Sequence, residues 1–99
     1  MIRQDISIDG YWDIIICYGV YLGEKNSGFT HTDFRKKRSI VGIGLADSKR
    51  QLINTIVHEA KHVQSHICRY YNVPEDGEQA AYLIGYIVMR MYSSFKQLI

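Results

Sequence analysis

The stretch His58-Glu59-Ala60-Lys61-His62 decides how the rest of the chain is interpreted. Two histidines four positions apart lie one above the other on an α-helix, so both imidazoles can reach a single metal ion. The glutamate between them lies beside such an ion, where its carboxylate can accept a proton from a bound water. The spacing therefore predicts a helix with a metal-binding face, preceded and followed by elements that support it.

The residues around this motif have the amphipathic pattern of a long helix. Ser48 and Gln51 predict a capping box, with Asp47 as an alternative cap. The Asn-Val-Pro segment at residues 72–74 predicts that the helix ends near Tyr71. The apolar arc comprises Leu52, Ile53, Ile56, Ala60, Val63, Ile67, Tyr70 and Tyr71, and the polar arc comprises Gln51, Thr55, His58, Glu59, His62, His66 and Arg69. We therefore expect the motif to face a cleft or solvent while the other arc packs in a core.

Strands are predicted before this helix and a second helix after it. Asp9-Gly10 is a hairpin signal between two β-rich runs, and the basic run at residues 35–38 predicts a solvated turn. The predicted strands are residues 2–8, 11–21, 29–34 and 39–46, with a loop at residues 23–28. Residues 14–16 are all isoleucine, which predicts a strand covered on both faces. A second capping box at Asp76 and Gln79 begins a helix that continues to about residue 96. The fold class is α+β: a small N-terminal antiparallel or mixed sheet of three to four strands, followed by two long helices.

The last predicted strand has one face without bulky side chains. Gly42, Gly44 and Ala46 alternate with apolar residues, and such a face allows another backbone to approach closely. One interpretation is an edge strand, at Gly42 and Gly44, that pairs with an extended peptide substrate. The other is close packing against the following helix.

A catalytic zinc ion takes three protein ligands and leaves a fourth position for water. Glu78 is the predicted third ligand, because it lies in the first turn of the second helix, where a carboxylate also suits the helix dipole. It shares a helix face with Tyr82 and Gly85, so this face can turn toward the motif helix. Gly85 also lies on the same side as Ala81, and these small residues would permit close helix contact. The alternative is a helix carboxylate with no metal role.

Other side chains compete for this position. His66 can pair with His62, but about 12 Å of helix separates it from His58. Glu75 and Asp76, on the connecting turn, are weaker rivals.

Composition limits the remaining possibilities. The 99 residues predict one domain, 1–99, and the net charge of +2 gives no reason to expect nucleic-acid binding. The apolar runs at residues 14–22 and 80–89 are too short for a membrane span. Residues 1–5 contain no apolar signal region, so we expect a cytoplasmic protein.

Cys17 and Cys68 are expected to be free thiols, with a single disulfide as the alternative. Oligomeric state is left open.

His58-Glu59-x-x-His62, followed by Glu78-Gln79-Ala80-Ala81-x-x-x-Gly85, resembles the gluzincin clan of zinc metallopeptidases. The length and the order of strands, motif helix and glutamate helix are similar to the minigluzincins and, more loosely, to small phage-encoded zincin-like proteins. The resemblance covers roughly residues 39–92. The spacing from His62 to Glu78 is shorter than in the larger gluzincins, and we expect no separate C-terminal subdomain.

This resemblance implies a zincin-like hydrolase that acts on a peptide or protein substrate. One Zn²⁺ ion would be held by His58, His62 and Glu78, and Glu59 would activate the zinc-bound water as general base. Tyr82 would stabilise the negatively charged oxygen that forms on the scissile carbonyl, or would hydrogen-bond to a zinc ligand. The alternative is a packed tyrosine at the edge of the core. Two alternatives stay open: a zinc-binding interaction module of weak or no activity, and a metal-free interaction protein.

Overall fold

The computed structural model describes residues 2–20 and 28–96, and in this part of the chain four strands precede two helices. The strands are β1 (Ile2–Ile8), β2 (Trp12–Val20), β3 (Gly28–Asp33) and β4 (Arg38–Gly44), and the helices are α1 (Lys49–Tyr71) and α2 (Glu78–Lys96). The α+β class and the order of elements are confirmed. The loop predicted at residues 23–28 lies almost entirely outside the described residues.

The strands form one mixed sheet in the order β1-β2-β4-β3. The predicted hairpin joins β1 and β2, and both Asp9 and Gly10 take the left-handed conformation that a tight turn requires, with φ of 50° and 80°. β2 pairs with β4 in parallel, and β3 pairs with β4 antiparallel. The predicted basic turn joins β3 to β4. β3 therefore forms one edge of the sheet.

Both helices pack on the same face of this sheet. Ile14 and Ile16 are fully buried beneath them, whereas Ile15 points to the other face and is half-buried. The expectation that this strand is covered on both faces is therefore wrong, because no helix covers the second face in the described part of the chain. The core between sheet and helices includes Ile8, Trp12, Ile14, Ile16, Val41, Ile43, Ile56, Val63, Ile87 and Met91. Each large apolar side chain buried in this way contributes about 1.5–3 kcal/mol to folding.

Local hydrogen bonds fix the two ends of α1 close to the predicted residues. At its start, the Gln51 N–H donates to Oγ of Ser48 at 3.1 Å, and the Gln51 side chain accepts from the Asp47 N–H at 2.6 Å. At its end, Asn72 takes the left-handed conformation, and the Val73 N–H donates to the Cys68 carbonyl at 2.8 Å. The motif is therefore carried on a helix that is capped at both ends.

The two helices divide the sheet between them. α1 packs over β3 and β4, and α2 packs over β1 and against α1. The Gln64 side chain of α1 donates to the Ala80 carbonyl of α2 at 3.0 Å, which ties the first turn of α2 to the middle of α1. One flank of α1 thus faces α2, and the other overlies the edge strand β3. Neither helix, among the described residues, is long and apolar enough to cross a membrane.

The glycine face of β4 has a different explanation from either of those offered by its sequence. β4 is paired on both sides, so Gly42 and Gly44 do not lie on an edge strand. The space above Gly42 is filled by the aromatic ring of Phe29 from β3, which a side chain at this position would overlap. The glycine therefore makes room for a neighbouring strand's side chain, and neither a peptide nor the following helix approaches there.

Candidate functional site

His58 and His62 lie next to each other on an accessible face of α1. Their ring centroids are 5.0 Å apart, with the rings nearly perpendicular at 75°. The His58 side chain is 68% exposed, and His62 is also exposed. The structure therefore confirms that the two imidazoles share one face of a helix and are open to solvent.

Glu59 does not share this exposure, although it lies on the predicted polar arc. Its side chain is only 5% exposed and lies between α1 and β3. The Thr30 hydroxyl donates to Oε1 of Glu59 at 2.7 Å, and Oε2 lies 4.0 Å from Nε2 of His58. A buried carboxylate needs hydrogen-bond donors to offset its lost hydration, and Thr30 supplies one. The expectation that the motif faces a cleft or solvent is corrected at this residue.

A glycine on β3 makes room for this carboxylate. A Cβ atom at Gly28 would lie 3.0 Å from Oε2 of Glu59 and 2.8 Å from the Gly42 carbonyl oxygen. Both distances are too short for an ordinary contact, so any larger residue would displace the glutamate or the strand. Gly28 thus allows the carboxylate of Glu59 to approach the edge strand closely.

His66 is fixed by a chain of hydrogen bonds that starts in the core. The Trp12 indole donates to Oγ of the fully buried Ser39 at 3.1 Å. Ser39 Oγ lies 2.8 Å from Oγ1 of Thr32, which lies 2.7 Å from Nδ1 of His66. The indole N–H can only donate, so every hydroxyl is satisfied when Ser39 donates to Thr32 and Thr32 donates to His66. Nδ1 of His66 is then an acceptor, and its Nε2 carries the proton.

The surroundings of His66 favour this neutral form. Burial lowers the pKa of His66, and the positive charges of Arg69 and His62 lower it further. Its ring also stacks edge-on against Phe34, with centroids 5.5 Å apart. Because Nδ1 is engaged with Thr32, His66 is anchored to the sheet.

Glu78 is not brought together with the two histidines. It is exposed, on the face of α2 that also carries Tyr82, which is 76% exposed. The opposite face packs inward through Ala80, which lies two positions later and thus about 200° around the helix. The described residues contain no group of three or more His, Cys, Asp or Glu side chains arranged to hold a metal ion. Glu78 as third ligand stays a prediction.

The other residues named from the sequence also lie away from the histidine pair. Tyr82 borders a pocket formed with Tyr71 and Cys68, on the flank of α1 that faces α2. A Cβ atom at Gly85 would meet nothing within 4 Å, so no other helix lies close to this glycine. Glu75 accepts a hydrogen bond from the Ser65 hydroxyl, which is the main reason that the pKa of Glu75 is lowered.

Four residues of this region were missed in the sequence: Thr30, Thr32, Ser39 and Trp12. The available signal was the alternation of Gly28, Thr30 and Thr32, which places small and hydroxyl-bearing side chains on one face of β3. This face meets the motif helix. Both Cys17 and Cys68 are free, as predicted.

No protein family, curated protein or solved structure matches this chain. The likeness to gluzincins therefore rests on the motif and the order of elements, and function must be argued from the geometry of the site.

Proposed function

We propose that this protein is a zinc-dependent peptidase of zincin type, in which His58 and His62 bind the metal and Glu59 acts as general base. One observation carries the proposal: the oriented carboxylate of Glu59 lies 4.0 Å from the exposed His58 ring, which itself adjoins His62. A solvated helix face that happens to contain two histidines gives no reason to bury the glutamate between them.

The donor chemistry of the pair suits zinc. Imidazole nitrogens are among the usual zinc ligands, and both rings are accessible on one helix face. Zinc has no geometric preference from its d-electrons, so two side chains that can still rotate are able to adapt to it. Two histidine ligands leave coordination positions for water and for a further carboxylate.

Each residue of the site then has a distinct task. When bound, zinc acidifies a water molecule and polarises the scissile carbonyl. The Thr30 hydroxyl holds Oε1 of Glu59, which leaves Oε2, on the histidine side, to accept a proton and pass it to the leaving amine. Burial removes competing water from this carboxylate and keeps it in one rotamer.

The edge strand β3 supports the choice of a peptide substrate. β3 pairs with β4 on one side, and no other strand among residues 2–20 and 28–96 pairs with its outer edge. An extended peptide can add to such an edge through main-chain hydrogen bonds. Because Thr30 of β3 touches Glu59, a peptide bound there would run beside the motif. This surface takes the place of the one expected at Gly42 and Gly44.

A second candidate function is a zinc-binding interaction module with little or no catalysis. The outward position of Glu78 favours it, because the described residues supply no third ligand beside His58 and His62. In this alternative the metal stabilises a surface for a partner, and Glu59 has a structural role only.

Metal content and peptide cleavage, measured on the same set of variants, distinguish these functions. Wild-type protein purified without chelator should contain about one zinc per chain, and His58→Ala or His62→Ala should lose it. His31→Ala is a matched control, since His31 is also exposed but lies on the opposite face of β3 from Thr30. Absence of zinc from the wild type, with no rise in melting temperature on adding it, would contradict both zinc functions.

Glu59→Gln tests catalysis separately from binding. It should keep zinc but reduce cleavage of a quenched fluorescent peptide library by about 100-fold or more, which is the usual contribution of a general base. Wild-type protein that holds zinc yet cleaves no peptide would support the interaction module. Equal cleavage by wild type and Glu59→Gln would identify a contaminating protease.

A further inference from the structure

A pocket separate from the histidines lies between the β1–β2 turn, the end of α1 and the first half of α2. Its volume is about 640 Å³, within the range of small-molecule sites. It is lined by Asp9, Tyr11, Ile67, Cys68, Tyr71, Val73, Gln79, Tyr82, Leu83 and Tyr86. Because Ile67, Cys68 and Tyr71 lie on the flank of α1 that faces α2, the pocket is on the other side of the helix from the candidate zinc site.

The lining combines aromatic rings with a single charge. Four of the lining residues are tyrosines, and Asp9 is the one charged side chain among them. Lys, Arg and His are absent from the described residues that line it. The remaining wall is apolar except for the amide of Gln79. The walls thus offer ring faces, aliphatic surface and one carboxylate.

Asp9 is held in place by the fold. It occupies the left-handed position of the hairpin turn, with φ of 50°, and its Oδ1 accepts a hydrogen bond from the Tyr86 hydroxyl at 3.3 Å. The Asp9 charge also acts on the pocket wall: burial raises the pKa of Tyr11, and the Asp9 charge raises it further. The carboxylate is therefore a fixed negative charge at the edge of an aromatic pocket.

Three of the four tyrosines, Tyr11, Tyr71 and Tyr86, are held by contacts within the protein. The Tyr71 hydroxyl donates to the Tyr11 carbonyl at 3.4 Å, and the two rings stand edge to face with centroids 5.6 Å apart. Arg90, outside the lining, donates to the Ser7 carbonyl at 2.9 Å and to the Tyr86 hydroxyl at 3.0 Å. Its guanidinium lies 5.8 Å from the Tyr86 ring centroid, so Tyr86 already accepts a cation within the protein.

We propose that this pocket binds a small organic cation of the alkylated ammonium class. Methylated ammonium groups are attracted to tyrosine rings, and they carry the positive charge that complements the Asp9 carboxylate. A neutral apolar molecule would gain nothing from the Asp9 carboxylate, which is connected to Arg90 only through the Tyr86 hydroxyl. The site is independent of the zinc proposal, and either can fail without the other.

A pair of ligands with the same shape tests the charge requirement. Choline and its uncharged isostere 3,3-dimethylbutan-1-ol should be titrated into ¹⁵N- and ¹³C-labelled protein, with shifts followed at the tyrosine rings and the Asp9 amide. Choline should shift these signals and bind at least about tenfold more tightly than the isostere. Equal binding of the two would show an apolar pocket only, and binding of neither up to 50 mM, roughly the limit for so weak a ligand, would overturn the proposal.

Three variants localise the effect. Asp9→Asn removes the charge but keeps a residue that tolerates the left-handed turn, and it should weaken choline binding about tenfold. Tyr82→Ala should weaken it while Tyr82→Phe does not, and both should fold, because Tyr82 is 76% exposed. Asp13→Asn, on the uncovered face of the sheet, removes an equal charge elsewhere and should leave binding unchanged. Equal weakening by Asp13→Asn and Asp9→Asn would point to net charge alone and overturn the assigned site.

Discussion

Oγ1 of Thr30 lies 2.7 Å from Oε1 of Glu59, and this hydrogen bond joins the edge strand to the helix that carries the histidine pair. Because Thr30 lies on β3, the orientation of the Glu59 carboxylate depends on how the strands pair as well as on the helix. The sheet edge, the buried acid and the exposed imidazoles consequently form one connected unit.

Thr30→Val should test this connection, because it keeps the shape of the side chain and removes the hydroxyl. The Glu59 carboxylate would lose its donor while still buried, so we expect a loss of about 1–3 kcal/mol in the free energy of unfolding, measured in urea. Zinc content should be unchanged and peptide cleavage reduced. Thr30→Ser, which retains the hydroxyl, is the control and should lose less than half as much stability. Equal losses in the two variants would mean that the methyl group, rather than the hydrogen bond, matters at this position.

Ser39→Ala should be among the more damaging single substitutions of a small residue in this chain. Ser39 is fully buried, accepts a hydrogen bond from the Trp12 indole, and lies 2.8 Å from Oγ1 of Thr32. Its removal leaves a buried N–H without a partner, which costs about 1–3 kcal/mol. Urea unfolding followed by Trp12 fluorescence measures the loss. Ser93→Ala, at an exposed position of α2, should change stability by less than about 0.5 kcal/mol.

The same chain of hydrogen bonds predicts the tautomer of His66. In long-range ¹H–¹⁵N spectra at neutral pH, Nδ1 of His66 should have the shift of an unprotonated nitrogen and Nε2 that of a protonated one. Thr32→Val should remove this preference, because the hydroxyl that is hydrogen-bonded to Nδ1 is lost. Protonated Nδ1 in the wild type would show that the hydrogen bonds run in the opposite direction.

His66 should also make the protein less stable in mild acid. Its folded-state pKa is lowered, mainly by burial, so the unfolded chain takes up this proton first as the pH falls. The stability associated with neutral His66 is therefore complete above about pH 6.5, the unfolded value, and is lost as the pH falls from there toward the folded pKa.

Chelator-treated wild type and His66→Asn should be compared by urea unfolding at several pH values between about 5 and 8. Asparagine keeps an acceptor for Thr32 but does not titrate, so the variant should show a shallower loss of stability on acidification. His58 and His62 are present in both proteins, so the difference between the profiles reports His66 together with its interaction with His62. Identical pH profiles would show that His66 is not the group responsible.

The parts of the fold that follow from local chemistry were predictable from the sequence. The hairpin at Asp9-Gly10 and the ends of α1 depend on turn and capping residues that act over a few positions. The parts that depend on distant pairing were not predictable in this way. The parallel pairing of β2 with β4 makes β4 an internal strand, and nothing within residues 39–46 records which strands lie on either side.

The residues of the candidate site also fall into two groups: those that local spacing predicts and those that depend on distant neighbours. The spacing of His58 and His62 determines that they share a helix face, whatever surrounds that helix. The burial of Glu59 depends on Thr30, 29 positions earlier in the chain. The direction of Glu78 depends on which face of α2 packs inward, and Ala80 decides this by meeting Gln64. Helical periodicity describes which residues share a face, but not which neighbour that face meets.

Tyr18→Phe should test the docking of the far end of α2, on which the position of its first turn also depends. The Tyr18 hydroxyl donates to the Met91 carbonyl at 2.7 Å and lies 3.2 Å from Oγ of Ser94. Removing it should cost about 1–2 kcal/mol in the free energy of unfolding. Tyr92→Phe, which removes a tyrosine hydroxyl from α2 itself, is a suitable comparison and should lower the free energy of unfolding by less. If Tyr18→Phe leaves the free energy of unfolding unchanged, the end of α2 is not held against β2 by this contact.

Glu78→Gln distinguishes the sequence-based zinc site from the geometry of the folded chain. In the structure Glu78 faces solvent, and Ala80, two positions later, turns inward to pack against α1. From this geometry we expect zinc affinity, measured by competition with a chromogenic chelator, to stay within about twofold of wild type, whereas His62→Ala abolishes binding. Asp13→Asn, on the uncovered face of the sheet, removes an equal charge away from the histidines and is the matched control. If Glu78→Gln instead weakens binding by about tenfold or more, the first turn of α2 must rotate toward the histidines when the metal binds, since a lost carboxylate ligand costs at least this much.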